Sequence, residues 1–246
     1  MDRLTRGVRE QLALGRLLPL GEAEDAVWIT ESAAVRALRR AVAGMSGVRL
    51  REVEVLPADP DEAEVPAVAP AGALPHLPVR VEAAFDAAAD EPLPLTAQRL
   101  RDVLWEAAAE GVGLAVAAVD LRITGLLEDV PALPPGEVVE GVVLPEPEEI
   151  PPVGAPDAPA AVGAAAAAVL GVRRLTRRLA GLGPGVRVRD LPETAPMTRQ
   201  VQVQIAVAAG HKPLVVARAV VAAVASAAAP GAPGPVEVAV VVTDVG

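Results

Sequence analysis

His76 and His211 are the only imidazoles in the chain, and both sit beside prolines, in Pro75-His76-Leu77-Pro78 and His211-Lys212-Pro213. Neither has an acidic residue or a second histidine at the spacing of a triad or a metal-binding helix, so both read as exposed loop residues. Ser32, Ser46 and Ser226 are the only serines, and none lies in a Gly-x-Ser-x-Gly elbow. Cysteine is absent, which removes a thiolate nucleophile, a disulfide framework and any cysteine-ligated zinc or iron-sulfur site. The chain therefore reads as non-enzymatic, with no catalytic residue, cofactor or metal expected.

Gly181-Leu182-Gly183-Pro184-Gly185 has the glycines of a phosphate-cradling loop but not its Lys-Ser/Thr ending or its strand-to-helix setting, and a turn is the better account. Gly44-Met45-Ser46-Gly47 and Gly231-Ala232-Pro233-Gly234 each fit the Gly-x-x-Gly of RNA-binding KH modules. Neither carries Lys or Arg at its centre, and neither is expected to join two helices. Acidic residues outnumber basic ones by 32 to 22, for a net charge of -10, which opposes a phosphate backbone. No nucleic-acid partner is expected, and a KH-like RNA-binding module is kept as an alternative. A regulatory subunit with a ligand site between two units is the other.

Charge is concentrated in two places. Arg173, Arg174, Arg177 and Arg178 would share one face if that segment were helical, making a possible interaction patch. A solvated face paired with the Glu-rich linker is favoured over contact with anionic lipid, which usually takes more charges or an apolar anchor. Glu146, Glu148 and Glu149 are interleaved with prolines and read as linker solvation. Trp28 and Trp105 read as core or partner-facing packing.

The elements that must position these residues follow from composition and period. A length of 246 residues fits one or two cores, and two are favoured. Hydrophobic residues make up 52% of the chain but aromatics only 1%, so the core must be built from Ala, Val and Leu. Lys212 is the only lysine, an Arg-rich bias of the kind a GC-rich genome gives. Pro57–Pro78 and Glu128–Pro159 are linker-like. The second divides the chain into a first unit over 1–127, a Pro/Glu-rich linker over 128–157 and a second unit over 158–246. The amino terminus lacks the apolar run of a signal peptide, and the runs 158–172 and 215–229 are too short and weakly apolar to span a bilayer. A cytoplasmic protein with no direct membrane span is expected.

In the first unit, Val35, Leu38, Val42 and Met45 recur at helical spacing after Thr30, the expected N-cap. An extended run follows from Val48 to Leu56. Val79, Val81, Ala83 and Phe85 then alternate with polar or small residues, as in a strand covered on one face. Leu100, Val103, Leu104 and Ala107 form a second helical stripe with Thr96 as its expected cap, and Ala117, Val119, Leu121 and Ile123 alternate in a last strand. The order is helix, strand, strand, helix, strand.

The same order returns in the last third of the chain. Val201, Val203, Ile205 and Val207 repeat the second strand. Val215, Val220, Ala223, Val224 and Ala227 repeat the second helix, and Val236, Val238, Val240 and Val242 the last strand. The first strand of this unit lies either at Arg173–Leu179 or at Val186–Arg189. The expected fold class is α/β in the two-layer α+β sense, two tandem units each with a small mixed sheet and helices on one face. A three-stranded sheet leaves a second face and two edges open, so self-association is expected.

With Gly47-Val48 and Gly171-Val172 closing the first helix of each unit, Gly113-Leu114-Ala115-Val116 before a final strand and Val242-Thr243-Asp244-Val245 at an end, the chain resembles the alkaline shock protein family. These are the envelope stress response proteins of Gram-positive bacteria. The chain departs from the family's Tyr-Gly after the second strand, since it has no Tyr, and has Pro230–Pro235 in place of the second Gly-Leu segment. The resemblance implies a non-enzymatic scaffold without a transferable active site. The partners it implies are the protein itself, related family members and a small membrane protein holding it at the inner face of the cell membrane.

Overall fold

The computed structural model describes residues 15–58, 68–127, 158–178, 185–191 and 197–246. The linker 128–157, with its glutamates, and Gly181–Pro184 of the glycine-rich turn lie outside the described residues.

Four α-helices and two mixed sheets give the expected α+β class. In the first unit, α1 (Glu31–Val42), β3 (Val48–Pro57), β4 (Val79–Ala88), α2 (Leu93–Glu106) and β5 (Val116–Leu127) follow one another. In the second, α3 (Ala158–Ala167), β6 (Val172–Leu175), β7 (Val186–Leu191), β8 (Thr198–Val207), α4 (Pro213–Ala228) and β9 (Val236–Val245) repeat the order. β4 pairs antiparallel with β3 and parallel with β5, and β8 pairs antiparallel with β6 and β7 and parallel with β9.

Both expected positions for the first strand of the second unit are occupied. β6 pairs with the Ile205–Val207 end of β8 and β7 with its Thr198–Val203 end, so the two are halves of one edge strand. Gln204 bridges the break: its carbonyl accepts from the Thr176 amide at 2.9 Å and its amide donates to the Gly185 carbonyl at 2.8 Å. Gly185 has φ +77°, and a Cβ there would lie 2.4 Å from the Thr176 carbonyl oxygen. Only glycine fits that approach.

Two strands were not legible in the sequence. β1 (Leu17–Leu20) and β2 (Val27–Thr30) form an antiparallel hairpin, and β2 pairs in parallel with β9, Val27 opposite Val240 and Ile29 opposite Val242. The amino-terminal hairpin thus extends the sheet of the second unit, whose order is β1-β2-β9-β8 with β6 and β7 end to end along the far edge. The other sheet is β3-β4-β5. α1 leaves β2 of one sheet and leads to β3 of the other, packing on β9 as well as β3.

One continuous core holds the inward residues of both sheets and of all four helices. Phe85, the only phenylalanine, is fully buried in it, between Leu50 on β3 and Ile123 on β5 in the ladder. Valines and alanines supply most of the rest, and each Val or Leu buried from water contributes about 1.5–3 kcal/mol. The helix stripes hold with local corrections. On α4, Val216, Val220 and Val224 are buried while Val215 points to solvent. α2 starts at Leu93 with Pro92 at its N-cap, so Thr96 is inside the first turn, buried and donating from Oγ1 to Glu91 at 2.7 Å. Thr30 occupies the N-cap of α1 but its side chain makes no capping bond.

A smaller cluster covers part of the other face of the sheet that holds β1, β2 and β9, where Leu17, Trp28, Ala239 and Val241 pack beneath Val68. That face, expected to be bare, is partly closed by the segment preceding β4.

Candidate interaction surface

Sheet edges offer unpaired backbone donors and acceptors, and a protein that associates by adding strands must leave at least one of them open. β1 is short, contains Pro19, and is closed by the segment beside it: Leu17 bridges to Ala73, and the Leu74 amide donates to the Leu17 carbonyl at 2.9 Å. β3 is guarded by arginines. Arg16 Nη2 donates to the Val55 carbonyl and Arg39 Nη2 to the Arg51 carbonyl, each at 3.1 Å. The β6–β7 edge is broken in the middle and carries Arg173, Arg174, Arg187 and Arg189.

β5 is different. It runs for 12 residues without proline, and among the described residues it pairs only with β4. Arg101 of α2 reaches it, with Nε donating to the Val119 carbonyl at 3.3 Å. The strand carries exposed apolar side chains, Ile123 at 39% and Leu126 at 57%, and Trp105, four residues after Arg101 on α2, is 43% exposed.

The outer face of the same sheet is a lattice of charges. Arg80 pairs with Asp120 at 3.1 Å and Arg122 with Glu52 at 3.6 Å. Asp86 accepts from Arg51 Nε at 2.7 Å and from the Thr124 hydroxyl at 2.8 Å. The Arg51 guanidinium first, then the Thr124 hydroxyl, hold the Asp86 carboxyl below the usual range. Water faces this surface, so the apolar contact available to a partner lies along the β5 edge.

The arginine cluster is not a helical face. Arg173 and Arg174 are exposed on β6, where the register shifts between Val172 and Arg174, and Arg177 and Arg178 follow in irregular backbone. Strand geometry sends successive side chains to opposite faces, so the spacing that would align them on a helix does not align them here. No ion pair joins any of the four to another described residue.

The two histidines differ in setting. His211 is exposed, with Nδ1 3.2 Å from the Ala209 carbonyl. His76, expected to be exposed, is partly buried edge-on to Trp28, with ring centroids 5.0 Å apart. Burial lowers its pKa, against the opposing pull of the Val27 backbone and of Asp25, Glu22 and Glu24. Both ring nitrogens are buried and neither makes a hydrogen bond of ordinary geometry. Trp28 is fully buried and donates from Nε1 to the Leu74 carbonyl at 2.9 Å.

No protein-family model, curated protein or solved structure matches the chain.

Both Gly-x-x-Gly segments lead from a helix into a strand, Gly44–Gly47 from α1 to β3 and Gly231–Gly234 from α4 to β9. The KH arrangement, a loop between two helices presenting its backbone to a nucleotide, is absent at both. Among the described residues no group of three or more His, Asp or Glu side chains could hold a metal ion. No helix there is long and apolar enough to cross a membrane.

Proposed function

We propose that this chain is a non-enzymatic structural or interaction protein of the envelope stress response type, acting through self-association or partner binding. The observation that carries this reading is the 12-residue strand β5, hydrogen-bonded on one side only among the described strands and carrying exposed Ile123 and Leu126. Addition of a strand to such an edge gives affinity through backbone hydrogen bonds and selectivity through alternate side chains. The filling of the space between the two units by the apolar side chains of one core favours this reading over a ligand site there. The resemblance in the glycine-valine and closing-strand motifs adds the setting: the cytoplasm, at the inner face of the membrane through a small membrane-protein partner.

The test is an affinity pull-down of the tagged protein from its own cells with membranes solubilised, read by mass spectrometry, beside light scattering of the pure protein. Recovery of the protein itself, of similar repeat proteins or of small membrane proteins is the expected result. A monomeric pure protein that brings down RNA or a metabolic enzyme would overturn it.

A further inference from the structure

β5 carries opposite charges two residues apart, Asp120 and Arg122, on the face turned to solvent, with Val119, Leu121 and Ile123 alternating on the other. The Val119 carbonyl accepts from a side chain outside the sheet, so it points to the open edge. By the alternation of a strand, the backbone groups of Leu121 and Ile123 point there too.

The geometry points to a second copy of this chain as the occupant of that edge, paired antiparallel about a two-fold axis at Leu121. This rests on the reading above, that the protein acts by association. In that register Leu121 faces its own counterpart and Val119 faces Ile123. These pairs exchange backbone hydrogen bonds, because all three residues present their N–H and C=O to the edge. Asp120 then faces Arg122 of the second copy, and Arg122 faces its Asp120, as non-hydrogen-bonded pairs whose Cα atoms approach to about 4.5 Å.

Moving the axis by one residue sets Asp120 or Arg122 against its own copy, and moving it by two loses the charge match and carries the pairing into the irregular positions of β5, between Val116 and Ala118 and between Ile123 and Gly125. With the axis at Val119, Asp120 faces Ala118 and Arg122 faces Val116. With the axis at Ile123, Asp120 faces Leu126 and Arg122 faces Thr124. Of these registers, the Leu121 axis alone makes both charge pairs.

The layer of helices fits the same symmetry. α2 packs on both β4 and β5, so its axis lies about half a strand spacing inside β5, and the two-fold lies half a spacing outside it. With a spacing of about 4.8 Å, the two copies of α2 come to about 10 Å apart, the distance at which helices pack. Arg101 and Trp105 are one turn apart on the flank of α2 from which Arg101 reaches β5. The exposed Trp105 ring would be covered by the second copy. Pairing replaces the Arg101 bond to Val119 with a backbone bond.

The test uses the full chain in sedimentation velocity, with D120R and R122D made separately and each checked for folding by circular dichroism. In either variant alone both cross-axis pairs become like-charged, and self-association weakens roughly tenfold or more. Mixed in equal amounts, the two variants restore opposite charges at both pairs and associate again as a heterodimer. The intrachain partners Arg80 and Glu52 are exposed and contribute little. If the wild type associates but the variants behave like it, the edge is refuted and the association reading stands. If the wild type stays monomeric, the edge and self-association fail together. Should a variant not fold, amide exchange in the wild type decides the matter: Leu121 and Ile123 gain protection with rising concentration if β5 pairs, and exchange alike at all concentrations if it does not.

Discussion

Asp25 and Arg218, 193 residues apart in the chain, form a two-bonded ion pair in which Arg218 Nε and Nη2 donate to the two carboxylate oxygens at 2.7 Å each. The pair fastens the turn between β1 and β2 to α4 of the second unit. The Arg218 guanidinium holds the Asp25 carboxyl below its usual range. A carboxyl with a lowered folded value stabilises above its unfolded value of about 3.9 and loses that contribution as pH falls through the folded value. Asp25→Asn is therefore expected to lower Tm by roughly 1–3 °C at pH 7, since the pair is partly exposed, and the difference from the wild type to shrink as pH falls toward about 2. Thermal melts at the two pH values check this.

Gly185 closes the break between β6 and β7 against the Thr176 carbonyl. Gly185→Ala must place a Cβ against backbone at a positive φ, and urea denaturation is expected to show a loss of about 2 kcal/mol or more. A loss under about 0.5 kcal/mol would mean that the two halves are not held in this register.

Arg199, 7% exposed, ties three elements at once. It pairs with Asp190 of β7 at 2.6 Å and 2.9 Å, and donates to the carbonyls of Ala228, Pro230 and Gly231 at the end of α4. Arg199→Ala is expected to lower Tm by roughly 5–10 °C in a thermal melt. Arg199→Lys should recover only part of it, because an ammonium cannot reproduce the planar fork.

His76 against Trp28 gives a second pH dependence. Burial favours the neutral ring, so its contribution is complete above about 6.5 and is lost as pH falls through the lower folded value. Trp28 emission is expected to shift toward that of an exposed indole on acidification, and His76→Phe to remove the change. An unaltered pH profile in that variant would assign the transition to other groups.

The repeated order of elements was legible because each strand alternates and each helix carries a stripe at its own period. β1 and β2 were not, since each has four residues buried on both faces and therefore no alternation to read. The pairing of β2 with β9 is a contact across most of the chain, which no local pattern encodes. The split edge strand explains why two positions competed for it. Arg173, Arg174, Arg177 and Arg178 show the opposite failure, because helical spacing has meaning only in a helix and this segment is a strand followed by irregular backbone. The openness of β5 could not be read at all: its residues alternate like those of β4, and only the sheet order reveals which of the two has a neighbour on both sides.

The most direct measurement is sedimentation equilibrium of the full chain over a wide range of concentration. Reversible conversion of monomer to dimer as concentration rises is the result that association through β5 predicts. A single species of 25.0 kDa at every concentration would contradict it.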